Sequence, residues 1–492
     1  MLLSFRPVSL SSLNPQIAPL LEKIWGYRSL RFPQGEVIDC LLKGQDALVV
    51  IPTGGGKSLC FQLPALTQTG LTLVVSPLIA LMENQVQELQ AHGLPAACLH
   101  NELPRNQRRQ TLQRLQQGQL RLLYLSPETL LSPPLWELLC QPRLQLQGLM
   151  LDEAHCLVQW GDSFRPAYRR LGCLRQALQA YNPSAKTMAI AAFTATADPA
   201  TQAAIVTGLQ LRNPQHFCLD PYRPHLSLKV QIVWTPRCRR EQVAQFLKQQ
   251  QGSGGLVYVR TRRDAMALAD QLNTQGHRTA AYHGGLGASQ RRQLEAQWLT
   301  GDCPFVVCTN AFGLGVNKKN LRWILHYHPP LLLAEYLQEI GRAGRDLKPA
   351  TCLTLVSEPT GWLDSGDRQR QAFFLQQQVK LQQQAQALLP KIPPTGDLPS
   401  LKAQFPEVEL SLALLHRQNR LAWLDPFHYR LLPNQGNPEN LKASLGREYQ
   451  RMQHFLLTRD CRWHYLLQAF SSNPDPTLRC GHCDNCLRAA HR

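Results

Sequence analysis

Leu48-Val-Val-Ile-Pro-Thr-Gly-Gly-Gly-Lys-Ser58 is the stretch of the chain that decides its fold. It opens with an apolar run typical of a buried strand, and a helical pattern follows it. Three consecutive glycines let the backbone bend closely and direct its N–H groups at phosphate oxygens. Lys57 can then reach the β and γ phosphates of a nucleotide, and the Ser58 hydroxyl suits a magnesium ion. Strand, loop and helix in this order predict a phosphate-binding site.

A second motif, Asp152-Glu-Ala-His155, comes directly after the apolar run Leu149–Leu151. An aspartate at the end of a strand can hold magnesium, commonly through water, and the adjacent glutamate can orient and polarise an attacking water. The four residues alone are a weak signal. Downstream of a phosphate loop, they indicate hydrolysis of a nucleoside triphosphate.

The rest of the chain shows a regular alternation of short apolar runs and longer helical patterns. The runs are typical of buried parallel strands, and the segments between them fit crossover helices. The first series of predicted strands is Val49–Ile51, Leu73–Val75, Leu122–Leu125, Leu149–Leu151 and Ile190–Phe193. After a linker near Asp220–Pro224, the second series is Leu256–Val259, Thr279–Tyr282, Phe305–Cys308, Ile324–His328 and Cys352–Val356. The alternation predicts two tandem α/β domains.

The charge of the chain is strongly positive, with 52 Lys and Arg against 34 Asp and Glu and a formal net charge of +18. Such an excess favours a polyanionic partner, usually nucleic acid, although a basic protein without such a partner is the alternative. No apolar run has the length that a membrane span needs, and the N-terminus lacks the features of a signal peptide. We expect no membrane partner and a cytoplasmic, nucleoid-associated location with reduced cysteines.

Four of the fifteen cysteines stand close together near the C-terminus, at Cys461, Cys480, Cys483 and Cys486. Paired short spacings let one turn of backbone present several thiolates to a single tetrahedral ion, and four thiolates complete a structural zinc shell. His482 is a rival ligand, but the cysteines on both sides of it are better placed. Disulfides and an iron–sulfur cluster are the alternatives to Zn²⁺.

Further motifs of the chain resemble those of RecQ helicases, in the same order along the sequence. They are Trp25-Gly-Tyr-Arg-Ser-Leu-Arg-Phe-Pro-Gln34, Ser76-Pro-Leu-Ile-Ala-Leu-Met82, Ser126-Pro-Glu128, Thr194-Ala-Thr196, Val307-Cys-Thr-Asn-Ala-Phe-Gly-Leu-Gly315 and Gln338-Glu-Ile-Gly-Arg-Ala-Gly-Arg345. The resemblance covers roughly residues 20–356 and then the C-terminal cysteines. It implies two RecA-like motor domains, with ATP and Mg²⁺ bound in the cleft between them.

The resemblance also assigns roles to individual residues. Tyr27, Arg31 and Gln34 are expected to hold adenine, and an amide such as that of Gln34 can both accept and donate a hydrogen bond. The expected ATP-binding residues besides these are Thr53, Gly54, Gly55, Gly56, Lys57, Ser58 and Gln338, with Ser58 and Asp152 on magnesium. The expected catalytic residues are Lys57, Asp152, Glu153, His155, Arg342 and Arg345.

The two arginines are expected to share a function in the transition state. Arg342 and Arg345 are three residues apart, so they can lie on one helical face and offer positive charge to the γ-phosphate. Arg345 is the preferred candidate for this role. The alternative is that either arginine only makes a salt bridge.

The segment Cys156-Leu-Val-Gln-Trp-Gly-Asp-Ser-Phe-Arg-Pro-Ala-Tyr168 resembles the aromatic-rich loop with which RecQ proteins sense single-stranded DNA. Bases can stack on Trp160 and Phe164 regardless of sequence, and Arg165 can meet a phosphate. Tyr168 completes the expected DNA-binding set. The alternative is that the two aromatic residues belong to the core. One departure is Asp162-Ser163, where the family usually has His-Asp, which leaves the fine coupling in doubt.

The C-terminal part departs from the family pattern. We expect the winged-helix and further helical domains that often follow the zinc module in the family to be missing at that place, and the stretch between Arg345 and Cys461 is longer than the short helical connection expected. Two short helical patterns and a hairpin around Asp425-Pro426 predict a winged-helix-like insert, whose Arg417, Arg420, His428 and Arg430 could meet phosphates. The alternative is a spacer that packs on the second motor domain. The predicted domains span residues 1–220, 221–357, 358–389 (helical connector), 390–435 (insert) and 436–492 (zinc module).

The expected protein is a monomeric ATP-dependent DNA helicase that moves 3′–5′ on single-stranded DNA and unwinds duplex DNA in repair or recombination. The direction comes from the resemblance alone. One alternative is a helicase that acts on RNA, because Asp-Glu-Ala-His also occurs there. Another is a DNA-binding protein with a vestigial motor. Against it stand the intact residues Lys57, Asp152, Glu153 and Arg345.

Overall fold

The chain folds into two compact units, each of which is discontinuous in sequence. In this computed structural model the described residues are 7–8, 17–158, 165–250, 252–312, 318–433, 441–471 and 474–490. The first unit comprises residues 1–219 and 381–438, and the second comprises 220–380 and 439–492. The break at Asp220 coincides with the start of the predicted linker. The predicted division of the chain has five consecutive segments. The observed division differs from it, because residues 390–435 belong to the same unit as the N-terminal part of the chain.

A seven-stranded parallel sheet forms the centre of the first unit. A short ribbon of β1 (Pro7–Val8) and β2 (Leu30–Arg31) precedes it. The strands of the sheet are β3 (Ala47–Val50), β4 (Leu71–Val75), β5 (Ala96–Leu99), β6 (Leu122–Leu125), β7 (Leu146–Leu151), β8 (Ala189–Thr194) and β9 (Gln215–Cys218). Their spatial order is β5-β6-β4-β7-β8-β3-β9. Val50 is paired with Thr194, and Val75 is paired with Leu151. The carboxyl ends of the four strands β3, β8, β4 and β7 therefore lie at the same end of the sheet.

Helices cover both faces of this sheet. They are α1 (Ile17–Trp25), α2 (Gln34–Leu42), α3 (Lys57–Thr67), α4 (Ile79–Ala91), α5 (Arg105–Gln116), α6 (Pro127–Leu130), α7 (Pro133–Leu139), α8 (Leu174–Gln179) and α9 (Pro199–Gly208). The side chains of β3 alternate between two cores, with Leu48 and Val50 in one and Val49 in the other. Burial on both faces explains the continuous apolar runs in the sequence.

The second unit is built around a six-stranded parallel sheet. Its strands are β10 (Leu226–Val233), β11 (Gly255–Tyr258), β12 (Thr279–Tyr282), β13 (Phe305–Cys308), β14 (Trp323–His326) and β15 (Ala350–Ser357), in the order β10-β15-β14-β11-β13-β12. Its helices are α10 (Pro236–Gln249), α11 (Arg262–Thr274), α12 (Ala288–Thr300), α13 (Leu333–Ile340) and the long α14 (Gly366–Leu388). The predicted pair of α/β domains is confirmed.

Three strands of the two sheets were not predicted: β5, β9 and β10. All three lie at the edge of a sheet. An edge strand has one neighbour and often one exposed face, so it loses the continuous apolar run that marks a central strand. β9 is largely exposed, and the burial of β10 alternates along its length.

Residues 390–435 form a small element with its own antiparallel sheet. Its parts are β16 (Thr395–Asp397), α15 (Leu398–Gln404), α16 (Val408–Arg417), β17 (Leu421–Trp423) and β18 (His428–Leu431), and the strand order is β16-β18-β17. Arg170 of the first unit donates hydrogen bonds to Glu409 at 2.9 Å and to the Pro426 carbonyl at 3.1 Å. The alternative prediction places this element as a spacer on the second motor domain. That placement is wrong, because these contacts are made with the first unit.

The C-terminal helices cover the exposed side of the edge strand β10. They are α17 (Leu441–Leu457), α18 (Arg462–Phe470) and α19 (Asp484–Ala490). The indole of Trp463 donates to the Leu226 carbonyl at 3.1 Å, and the Val230 amide donates to Asp484 at 3.1 Å. In the described part of the chain, no helix combines the length and the apolar character needed to cross a membrane.

Candidate active site and metal centre

The phosphate loop joins the end of β3 to the start of α3. Gly54 and Gly56 have φ angles of +83° and +77°, a region that favours glycine. A Cβ on Gly56 would lie 2.3 Å from the side-chain nitrogen of Gln34, so a larger residue would displace that side chain. Lys57 donates from Nζ to the Ile51 carbonyl at 3.2 Å, and Ser58 accepts from Gln85 at 2.8 Å. The loop is thus preformed around the place where phosphates are expected.

Gln34 lies against this loop. Its Nε2 donates to the Gly55 carbonyl at 3.1 Å, and its Oε1 accepts from the Arg31 amide at 2.8 Å. Gln34 is buried, whereas Tyr27 is half exposed. Of the three residues expected to hold adenine, Arg31 and Gln34 are therefore connected to the phosphate loop.

The acidic motif follows β7 directly, so it lies at the same carboxyl end of the sheet as the phosphate loop. Asp152, Glu153 and His155 are all buried. The pKa of Asp152 is raised to about 6 by burial and by the neighbouring Glu153, and Lys57 opposes this rise. A carboxylate whose ionisation is disfavoured in this way gains from a nearby cation such as Mg²⁺. The chemistry of the group therefore suits the expected magnesium ligand.

His155 links the acidic motif to the end of the neighbouring strand. Its Nδ1 lies 3.2 Å from Oε2 of Glu153 and 3.1 Å from Oγ1 of Thr194. Thr194 also accepts a hydrogen bond from the Thr196 amide at 3.3 Å. The Thr-Ala-Thr motif at the end of β8 thus fixes the imidazole that orients Glu153.

The segment after the acidic motif contains the four residues predicted to contact DNA. Trp160 and Phe164 lie outside the described residues. Arg165 donates to the Pro77 carbonyl at 3.1 Å and lies 3.5 Å from Glu128. It therefore links the motif that follows β4 to the motif that follows β6. Tyr168 does not fit the predicted role, because it is fully buried and donates to the Asp152 carbonyl at 3.0 Å. It instead supports the backbone of Asp152, the expected magnesium ligand.

In the second unit, the predicted arginines follow helix α13, which carries Gln338. The helix ends at Ile340, so Arg342 and Arg345 lie in the turn after it and not on one helical face. Gly344 in this turn has φ +60°, and a Cβ there would lie 2.6 Å from His225 and 2.9 Å from the Lys348 carbonyl. Only glycine fits this turn without strain. Arg342 is buried.

A buried ion-pair network that sequence reasoning missed anchors α13. Arg260 donates to both oxygens of Glu339, at 3.1 and 2.9 Å. The same carboxylate lies 3.1 Å from Nε2 of His326, whose Nδ1 is 2.8 Å from Thr354. The partners come from four separate segments, and only the glutamate stands in a recognisable motif. No local sequence pattern could have joined them.

The four C-terminal cysteines converge on one point. Their Sγ atoms all lie within 4.8 Å of one another. Backbone amides of Cys480, Cys483 and Cys486 donate to the Sγ atoms of Cys461, Cys480 and Cys483, at 3.3 to 3.5 Å. Such N–H···S bonds stabilise thiolates. All cysteines of the described chain are free.

This donor set fits zinc in the predicted arrangement. Four thiolates from two short segments give a closed tetrahedral shell without an open position, as structural zinc sites have. His482 is outside the cluster, since its Nδ1 contacts the Cys480 carbonyl at 2.6 Å. Asp484 accepts two hydrogen bonds from Arg462, at 2.5 and 2.9 Å, and so ties α19 to α18 beside the cysteines.

Comparison with protein families gives three consecutive matches. The description "DEAD/DEAH box helicase" matches residues 32–205, and "Helicase conserved C-terminal domain" matches residues 238–346. The description "RecQ zinc-binding" matches residues 427–487, which contain the four cysteines. The first two matches contain the phosphate loop, the acidic motif and the two arginines.

Solved structures with a similar fold have low sequence identity to the chain. The helicase Lhr of Mycobacterium smegmatis, solved with single-stranded DNA and AMP-PNP, has a TM-score of 0.57 and 18% identity over 92% of this chain and 62% of that chain. Dbp5 of S. cerevisiae, solved with RNA and ADP BeF3, has a TM-score of 0.58 and 17% identity over 74% and 93%. These likenesses concern the fold alone.

Similarity to known sequences is much higher. The protein named ATP-dependent DNA helicase RecQ of Haemophilus influenzae is 40% identical over 71% of this chain, and the match covers 55% of that relative. The protein of the same name from Synechocystis is 59% identical over 95% of this chain and 97% of its own length. Because that match runs along nearly the whole of both proteins, the chain belongs to the RecQ family.

Proposed function

We propose that the chain is an ATP-dependent DNA helicase that moves 3′–5′ on single-stranded DNA and unwinds duplex DNA. The observation that supports this most is the convergence of Lys57, Asp152 and Glu153 at one edge of the first sheet, in a chain that is 59% identical to a relative named as such a helicase. The direction follows the RecQ resemblance. We also propose that it acts as a monomer, near the nucleoid, in DNA repair or recombination.

ATP is held by the phosphate loop in this proposal. Backbone amides of Thr53 to Gly56 surround the phosphates, and Lys57 exchanges its bond with the Ile51 carbonyl for one with the β and γ phosphates. Ser58 and Asp152 would hold Mg²⁺, which would supply positive charge near the phosphates. Tyr27 and Arg31 contact the base together with Gln34.

Hydrolysis requires a group that accepts a proton from water as water attacks the γ-phosphorus. We assign this role to the Glu153 carboxylate, while the bond between the γ-phosphorus and the bridging oxygen breaks. His155, 3.2 Å from Oε2 of Glu153, keeps that carboxylate oriented. Arg345 offsets the charge that develops on the γ-phosphate, with support from Arg342 and Gln338.

DNA binding is proposed for two places of the first unit. The first is the segment with Trp160, Phe164 and Arg165, on which bases stack while ATP hydrolysis responds. The second is the insert, as a winged-helix-like element with Arg417, Arg420, His428 and Arg430. His428 and Arg430 are exposed on β18, as a phosphate contact requires.

A strand-displacement assay on tailed duplexes tests this function. The full chain is given DNA or RNA duplexes that carry either a 3′ or a 5′ single-stranded tail, with and without ATP and magnesium. We expect unwinding of DNA duplexes with a 3′ tail, only with ATP. Unwinding of RNA alone, or none on any substrate despite ATP hydrolysis, would contradict the proposal.

A further inference from the structure

A small cavity lies within the first unit, between the motor part and the insert. Its volume is about 190 Å³. Arg169 from the segment after the acidic motif, His416 at the end of α16 and Trp423 on β17 line it. Their positions are set by the docking of the insert, so the cavity exists only because the insert packs on this surface.

Three residues that line this cavity each carry a buried hydrogen-bonding nitrogen that lacks a partner in the described part of the chain. These nitrogens are Nε of Arg169, Nδ1 of His416 and Nε1 of Trp423, and none of them has an acceptor among the described residues. Arg169 and Trp423 are only 6% and 8% exposed. A buried donor left without an acceptor costs about 1–3 kcal/mol, and more when it is charged. Three such nitrogens on residues around one cavity indicate that an acceptor belongs in it.

The charge around the cavity is positive. The pKa of Arg169 is lowered to about 9 by burial and by the nearby Arg417, so the guanidinium keeps its charge at neutral pH. No carboxylate is among the residues that line the cavity in the described chain. The carboxylate of Glu409, which contacts the neighbouring Arg170 at 2.9 Å, is also held by Lys402 at 3.0 Å. A buried guanidinium without a carboxylate in the lining favours an acceptor that carries negative charge.

We propose that this cavity is an oxyanion site that takes a phosphate group, either as inorganic phosphate or as a backbone phosphate of DNA. Arg169 provides the charge and a donor, the indole N–H of Trp423 provides a second donor, and His416 provides a third in the tautomer that carries the proton on Nδ1. The site joins one residue of the motor to two of the insert. Its occupant therefore strengthens the docking of the insert.

Thermal unfolding of the full chain in phosphate-free buffer, with and without potassium phosphate at matched ionic strength, tests the site. We expect phosphate to raise the unfolding temperature of the wild-type protein in a concentration-dependent way. The variant Arg169→Met should lose this response. Without phosphate it should be at least as stable as the wild type, because removing an unpaired buried charge is neutral or stabilising. Arg143→Met, which removes an exposed arginine of the same unit, is the matched control and should keep the response.

Duplex DNA affinity as a function of salt distinguishes the two sources of the phosphate, and this second measurement rests on the proposed function. If the occupant is a DNA phosphate, the slope of log K against log salt should be smaller by about 1 in Arg169→Met than in Arg143→Met. Equal slopes together with the thermal response assign the site to free phosphate. If neither measurement depends on Arg169, water fills the cavity and the proposal is overturned. Strand displacement by the wild type in phosphate-free buffer shows separately whether the helicase proposal stands.

Discussion

At the scale of single residues, the phosphate loop is held in shape by side chains that we propose to contact ATP. Lys57 contacts the Ile51 carbonyl, and Gln34 contacts the backbone of Gly55 and the amide of Arg31. These contacts satisfy polar groups that would otherwise be left unpaired. In the proposed mechanism, ATP binding exchanges the Lys57 contact for one with the phosphates.

The variant Lys57→Ala tests the assignment of the phosphate clamp. We expect a loss of at least about 10²-fold in ATP turnover stimulated by single-stranded DNA, by analogy with the loss of one charge-stabilising donor. The companion variant Glu153→Gln should retain ATP in its bound, unhydrolysed form, which rapid filtration with labelled ATP detects. Lys43→Ala, an exposed lysine paired with Asp39, is the control. Undiminished turnover in Lys57→Ala would contradict the mechanism.

At the scale of elements, the zinc module covers the edge of a motor sheet, and the insert covers a helical surface segment of the first unit. The C-terminal helices cover edge strand β10, which otherwise presents an unpaired strand edge. The insert covers Arg170, which is buried and holds Glu409 and the Pro426 carbonyl. Both elements lie late in the chain, and each returns to a different unit.

Metal analysis of the purified protein should find one zinc per chain. The variant Cys483→Ser removes a fully buried ligand, and we expect loss of zinc together with faster amide exchange in Leu226–Val233, which the module covers. The energy of such sites, about 10–16 kcal/mol, is large enough for the module to unfold without metal. Cys218→Ser, an exposed free cysteine, should change neither quantity. Iron in place of zinc, or no metal, would refute this assignment.

The docking of the insert can be tested through Arg170. In Arg170→Met, Glu409 and the Pro426 carbonyl lose their donor, and loss of one partner of a buried pair costs about 3–5 kcal/mol. For Arg170→Met the loss in free energy of unfolding should be at or below the lower end of this range, because Glu409 is partly exposed and keeps its ion pair with Lys402. Hydrogen exchange should therefore accelerate in residues 395–431 and remain unchanged in the zinc module. Arg237→Met, which breaks an exposed ion pair with Glu241, should have little effect on either region. Unchanged exchange in the insert would mean that apolar contacts alone hold it.

At the scale of the whole molecule, the sequence was informative wherever function or burial requires a local pattern. The phosphate loop, the acidic motif and the paired cysteines each need several residue types at fixed short spacing, so they were visible in the chain. Central strands such as β6 and β13 were found with their observed ends, because both of their faces are buried. Edge strands have no such requirement, and three of the four edge strands of these sheets were missed, namely β5, β9 and β10.

What the sequence by itself determined about this protein is therefore the two parallel sheets, the order of the motifs and the chemistry that each motif can perform. Only the tertiary structure decided which distant segments meet. It placed Tyr168 under Asp152, joined Arg260 and His326 to Glu339, and returned the insert to the first unit. The physical reason is that these contacts depend on burial and on partners far apart in the chain. A single arginine, histidine or tyrosine carries no local sign of the partner that it will find after folding.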